Sequence, residues 1–175
     1  MLETAVETPL IDRFRASMRA TAASISLVTS TDADGGFHGM AATSWASMSM
    51  DPPSMLVAVN RTASVHPVIA SSGRYCLNLM CDSHSEILER FSRSDMRHLR
   101  FSPDNWKSSV SGLPVLQGAL ASQLCTVEGS FDYGTHTIFV GRVDDVVLAD
   151  EGARLLSPLI WMNGSRAVLA GANPT

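Results

Sequence analysis

The sequence predicts a mainly β fold, a closed antiparallel barrel with helices at its periphery. Short runs rich in β-branched and apolar residues recur along the chain, separated by Gly, Pro, Asp and Ser. Helical patterns are few, and they do not alternate with the strands as the crossover units of a parallel sheet would. The two longest predicted strands, residues 117–132 and 137–148, are joined at Tyr133-Gly134 by a hairpin and not by a crossover. Such a set removes its exposed edges by closing on itself.

The elements follow in order. Thr8-Pro9 has the form of a helix start, with Thr8 as N-cap and Pro9 in the first helical position. Leu10, Phe14 and Met18 then recur at four-residue spacing with Ile11 beside them, giving an amphipathic helix whose end no Gly marks. Residues 24–31 alternate and are β-branched, so they form a strand. Asp32-Ala33-Asp34-Gly35-Gly36 is a hairpin turn, its glycines supplying positive φ, and residues 37–45 return. Asp51-Pro52-Pro53 stops regular structure. Residues 55–60 and 74–80 are short strands. Between them residues 64–71 form one or two helical turns, with Gly73 as the stop. Residues 83–91 form a helix capped by Ser83 or Asp82, carrying Ile87, Leu88 and Phe91 inward. Residues 92–112 are polar and irregular apart from Phe101 and Trp106. Gly141, inside the strand 137–148, signals a bulge or a close backbone approach. Residues 158–162 form a last strand.

A chain of 175 residues suits one domain, with a core over residues 11–168 and a disordered tail at 169–175. Charged residues make up only 17%, less than the surface of a free monomer usually carries, and burial of one face in an oligomer explains it. Net charge is −4 and no stripe of Lys or Arg exists, which argues against a nucleic-acid partner. Residues 90–100 are locally basic, with Glu89 and Asp95 interleaved, and suit either a solvated face or a phosphate contact. Cys76, Cys81 and Cys125 are odd in number without a pairing pattern, and no signal peptide opens the chain, so a cytoplasmic protein with reduced thiols is expected. No apolar run reaches the ~18 residues of a membrane span.

The chemistry is defined first by what is missing. No GxGxxG follows a strand, and GxxxxGK[ST], HExxH, CxxC and GxSxG are all absent. The five histidines, His38, His66, His84, His98 and His136, do not fall at metal-ligand spacing. A nucleotide cofactor would have to be held by the amides and hydroxyls of a barrel. The segment able to do so is residues 42–53, where small hydroxyl residues alternate with apolar ones. Alternation puts Ser47 and Ser49 on one face and sends Met48 and Met50 to the core. The other reading is a Ser-rich edge strand without a ligand.

That segment carries a resemblance. His38-Gly39-Met40-Ala41-Ala42-Thr43-Ser44-Trp45-Ala46-Ser47-Met48-Ser49-Met50-Asp51-Pro52-Pro53 resembles the signature stretch of the short-chain flavin reductases, the reductase components of two-component aromatic hydroxylases. Further matches keep the same order: Phe14-Arg15-Ala16-Ser17-Met18-Arg19, Val59-Asn60 with Ser64-Val65-His66-Pro67, Leu77-Asn78-Leu79-Met80 with Phe91-Ser92, and Arg100-Phe101. Gly134-Thr135-His136-Thr137-Ile138-Phe139-Val140-Gly141-Arg142-Val143 and Pro158-Leu159-Ile160-Trp161 complete them, so the likeness spans residues 11–168.

The resemblance implies a flavin-binding split barrel that is a homodimer, with flavin sites near the interface. It implies NADH-dependent reduction of FMN or FAD, the reduced flavin passing to a partner monooxygenase that acts on an aromatic substrate. It puts flavin contacts at Thr43, Ser44, Trp45, Ser47 and Ser49, phosphate-end contacts at Asn60, Thr62 and Ser64, and the nicotinamide side at His136. Trp45 either flanks the flavin or fills the core. Arg100 is a further candidate for the phosphate, and Cys81 either lines the site or is a buried inert thiol. Thr135 stands where the family most often has Asp, so no carboxylate is supplied there. Two rival readings are a split-barrel oxidase of pyridoxamine phosphate, which needs a basic cluster, and a non-catalytic flavin- or haem-binding barrel.

Overall fold

In chain order the elements are α1 (Leu10–Arg19), β1 (Ala23–Ser24), β2 (Ser26–Thr31), β3 (Phe37–Ala42), β4 (Trp45–Met50), β5 (Pro53–Asn60), α2 (His66–Ser72) and β6 (Arg74–Leu79). There follow α3 (Ser85–Ser92), β7 (Trp106–Ser108), β8 (Pro114–Leu116), β9 (Ala121–Tyr133), β10 (His136–Leu148), β11 (Ile160–Met162) and β12 (Ser165–Ala167). They belong to a computed structural model that describes residues 8–149 and 157–167. Residues 1–7 and the expected tail, 169–175, lie outside the described residues.

Seven strands make one antiparallel sheet in the order β3-β2-β6-β9-β10-β5-β4. The sheet curls around one core. Val28 of β2, Val57 and Val59 of β5, Tyr75 and Leu77 of β6 and Phe139 of β10 meet there under Val65 and Ile69 of the α2 segment. Tyr75 crosses this interior to donate its hydroxyl to the Met55 carbonyl at 3.0 Å. That crossing requires Gly141. A Cβ there would lie 2.6 Å from the Tyr75 oxygen, and the β9–β10 register shifts at the same point. Both meanings expected of an interior Gly, bulge and close approach, are realised at once.

The barrel is split, as the resemblance implied, and not closed, as the strand pattern alone predicted: no ladder joins β3 to β4 among the described residues. At the Thr43-Ser44 corner, Ser44 gives its polar groups to β5. The Ala58 amide donates to the Ser44 carbonyl, and the Ser44 hydroxyl donates to the Ala58 carbonyl, both at 2.8 Å. The chain leaving the corner therefore pairs with β5 and not with β3.

A second core packs Ile87 and Phe91 of α3 against Leu27, Trp106, Leu116 and Leu159. The irregular stretch expected at 92–112 contains β7, which pairs with β8. That hairpin is pinned by the Leu116 amide donating to Asn78 Oδ1 at 2.9 Å and by the Thr29 hydroxyl donating to the Pro114 carbonyl at 2.8 Å. Such partners are distant in sequence, so no local pattern reveals them. The short β1, β11 and β12 form a separate sheet.

Several local expectations shift. Pro9 occupies the N-cap of α1 and no side chain caps that helix, so Thr8 has no capping role. The α1 stripe of Leu10, Ile11, Phe14 and Met18 is exposed. The start of α3 is capped by neither Ser83 nor Asp82. A single 3-10 turn precedes it, in which the Cys81 amide donates to His84 Nδ1 at 3.2 Å. Gly73 does end α2, at φ +65°. The strand expected at 117–132 begins later, after a turn through Gly118 at φ +73°. No described helix is long and apolar enough to cross a membrane.

Candidate functional site

The β9–β10 hairpin brings His136 opposite Tyr133 on one side and opposite Asn60 of β5 on the other. Along β10 burial alternates: Thr137, Phe139 and Gly141 are buried, while His136, Ile138 and Val140 are half-buried. The β5 partners of the latter three, Asn60, Ala58 and Leu56, are half-buried as well. Directly paired residues share a face, so His136 stands at one end of an apolar sheet face. From β9, Phe131 and Tyr133 extend this face, 63% and 76% exposed. The His136 Nδ1 lies 2.9 Å from the Thr135 hydroxyl.

The hydroxyl residues around β4 fall into two kinds. Ser44 is engaged at the corner. Ser49 closes the turn before the prolines, donating to the Asp51 carbonyl and accepting from the Asp51 amide, both at 3.0 Å. Thr43 and Ser47 are exposed, and neither hydroxyl has a partner among the described residues. The expected common face for Ser47 and Ser49 does not form. A bulge sets Ser47 opposite Met55 and Ser49 opposite Ser54, and neighbouring residues of β5 point to opposite faces. The same edge position leaves Met48 and Met50 exposed where burial was expected. Trp45 lies opposite Val57 and packs against the interior core, and its buried Nε1 has no acceptor among the described residues.

A cleft of about 220 Å³ opens between β3 and the segment after α3, lined by His38, Ser64, Arg97 and Arg100 together with Phe37 and Phe101. No carboxylate pairs with Arg97 or Arg100 among the described residues. Arg100 is half-buried, and burial, then the neighbouring Arg97 charge, pulls its guanidinium below the ordinary arginine value. It is chiefly a cap for α3, donating to the carbonyls of Arg90 at 3.0 Å and Phe91 at 3.1 Å. The exposed Arg97 was not singled out from the sequence; its only signal there is the basic stretch 90–100. His38 Nε2 sits 2.7 Å from the Asp32 carboxylate. That hydrogen bond, followed by the Gly36 amide, holds the Asp32 carboxyl below its usual range.

The remaining candidates separate. Asn60 and Thr62 form a local turn in which Asn60 Oδ1 accepts from both the amide and the hydroxyl of Thr62 at 2.9 Å. The structure brings Asn60 to His136, and Ser64 to the cationic cleft. Cys81 is fully buried with its thiol against Ser83 and His84, and lines neither this cleft nor the one below Thr43. That placement fits the reading of a buried thiol. The cleft below Thr43, about 230 Å³, is walled by Ile25, Ala41, Leu88 and Trp161.

Residues 18–170 match the model of a family described as the flavin reductase like domain. The chain is similar to the FMN reductase (NADH) RutF of Stutzerimonas stutzeri, 32% identical over 143 residues and 82% of each chain. It is 33% identical over 164 residues to the actinorhodin polyketide dimerase of Streptomyces coelicolor, covering 92% of this chain and 89% of the other. The solved structure of the styrene monooxygenase flavin reductase from Pseudomonas putida superposes with a TM-score of 0.77 at 28% identity, over 89% of this chain and 96% of that one.

Proposed function

The chain belongs to the flavin reductase-like domain family, and from that membership we propose that it is an NADH-dependent flavin reductase. It reduces FMN or FAD and releases the product to a flavin-dependent monooxygenase with an aromatic substrate. The observation that carries this reading is a set of hydroxyls without partners, and of cations without carboxylates, among the described residues. The hydroxyls of Thr43 and Ser47 at the β3–β4 corner are unengaged, and the cations Arg97 and Arg100 converge with Ser64 on one cleft. Hydroxyl donors and a cation pair without carboxylates match the ribityl and phosphate parts of a flavin nucleotide.

Flavin supplies the hydride acceptor and reduced nicotinamide the hydride, so the protein needs no nucleophile or metal of its own. Its residues bind and orient. Thr43 and Ser47 donate to the flavin, and Trp45 Nε1 is a donor awaiting an acceptor at the same strand. Ser64 and Arg97, with whatever donor capacity Arg100 retains, hold the phosphate. His136 sits at the hairpin and orients the nicotinamide. The apolar face of β5, β9 and β10 is the surface on which a second copy packs, giving a homodimer. Three free, buried thiols suit a cytoplasmic setting.

Mixing the protein with FMN or FAD and NADH while following absorbance at 340 nm tests the activity. NADH consumption that depends on flavin supports it; no turnover with either flavin overturns it. Two variants separate the roles. His136→Ala should lower kcat/KM for NADH about tenfold, or about 1.4 kcal/mol, with flavin affinity unchanged. Ser47→Ala should weaken flavin binding and spare the hydride step at saturating flavin. If stopped-flow and flavin titration give the reverse pattern, the two sites have been exchanged.

A further inference from the structure

Behind the hairpin, on the interior face of β10, a chain of hydrogen bonds runs opposite to His136. Thr137 is buried, and its one hydroxyl proton goes to the Asp132 carboxylate across the ladder. Its oxygen can then only accept from His66, whose Nε2 lies 2.8 Å away. His66 starts α2, and its ring leans on Phe139 at a centroid distance of 5.4 Å. From the other side Arg61 grips the same turn. Its backbone amide donates to the Thr135 carbonyl at 3.0 Å, and its guanidinium donates to the Gly134 carbonyl at 2.6 Å. The guanidinium also stands 3.6 Å from Asp132. Asp132, Gly134 and Thr135 are thus each held by a group from the β5–α2 connection. The Thr137 hydroxyl, and after it Arg61, keep the Asp132 carboxyl below its ordinary value.

The ion pair is too exposed to contribute much stability, with side chains 48% and 62% accessible. Its geometry is more informative. A two-residue connection containing Gly134 at φ +55° has little of its own to hold it. The clamp fixes it from two sides, and the next residue is His136. We propose that Arg61, His66, Thr137 and Asp132 are positioning residues that set the pose of His136 toward the nicotinamide. They do so without touching the substrate, because they act from the opposite face of the strand. This rests on the assignment of His136 to the nicotinamide made above.

Thr137→Val removes the hydroxyl while keeping the shape. The KM for NADH should rise about fivefold, the effect of one lost hydrogen bond, with kcat and flavin affinity held. Thr137→Ser should restore it. The Arg61 amide, bonded to Thr135, should exchange its hydrogen faster in Thr137→Val. In a His136→Ala background Thr137→Val should add nothing to the loss with NADH. Asp132→Asn, a change at the surface that leaves the core intact, should raise the NADH KM in the same direction. Additive losses in the double variant, unchanged Arg61 exchange, or Thr137→Ser behaving like Thr137→Val would each overturn the clamp. If His136→Ala alone affects NADH and Thr137→Val does not, the clamp fails and the assignment of His136 stands. If Thr137→Val affects NADH and His136→Ala does not, that assignment fails and the clamp does not work through it.

Discussion

Asn78 is fully buried, and both ends of its amide are satisfied. Its Nδ2 donates to the Leu27 carbonyl and to Thr29 Oγ1, each at 3.1 Å. Its Oδ1 accepts from the Leu116 amide at 2.9 Å and the Ser122 hydroxyl at 2.8 Å. The motif Leu77-Asn78-Leu79-Met80 was visible in the sequence, but the role of its Asn, tying β2, β6, β8 and β9 together, was not. His84 is similar. The Gln117 carbonyl 3.1 Å from Nε2 can only accept, so Nε2 carries the proton and Nδ1 accepts from Cys81. Burial holds this imidazole below its ordinary value of 6.5, against the opposing pull of the Gln117 hydrogen bond and Asp82. Below pH 6.5 the unfolded chain binds the proton first, so stability is full above that pH and falls as acid is added, down to the folded-state value. Urea melts from pH 7.5 to pH 5 should show this slope in the wild type, and His84→Gln should flatten it. An identical slope in the variant would remove His84 from the account.

At the scale of elements, β4 and α1 show where periodicity misleads. Both have a correct apolar pattern, and in both the apolar side faces solvent in the single chain. Period fixes which residues share a face, but not whether anything covers it. In β4 the bulge also breaks the period, placing Ser47 and Ser49 on opposite faces. β10 is the contrary case, because its one interior Gly correctly announced a close approach. Gly141→Ala would force its Cβ against the Tyr75 ring and strain the Tyr75–Met55 bond. The expected cost is about 1–3 kcal/mol of overpacking, read as a lower denaturant midpoint with an unchanged slope. A variant as stable as the wild type would mean that Tyr75 can move aside freely.

For the whole molecule, the face made by exposed Phe131 and Tyr133 with half-buried Ile138 and Val140 and the 17% charge content belong together. Contiguous apolar surface of this kind marks an interaction site. The protein should sediment as a dimer at micromolar concentration. Phe131→Asp, at a position open in the single chain, should shift it to the monomer while the fold, followed by circular dichroism, is kept. A wild type that sediments only as a monomer would remove the second copy from the proposal.

The sequence by itself determined the antiparallel class, the hairpins, the α2 stop at Gly73 and the hydroxyl-rich segment at 42–53. These are local: alternation, turn residues and spacing are set within a few positions. Through resemblance it also implied the split barrel and put forward His136 and Ser64 as site candidates. The tertiary structure alone decided that Thr43 and Ser47 keep hydroxyls without partners among the described residues while Ser44 and Ser49 do not, and that Arg97 joins Ser64 while Arg100 caps a helix. Which donors remain available depends on which acceptors the rest of the chain brings to them. Those acceptors arrive from strands and helices distant in sequence, so no local pattern records them.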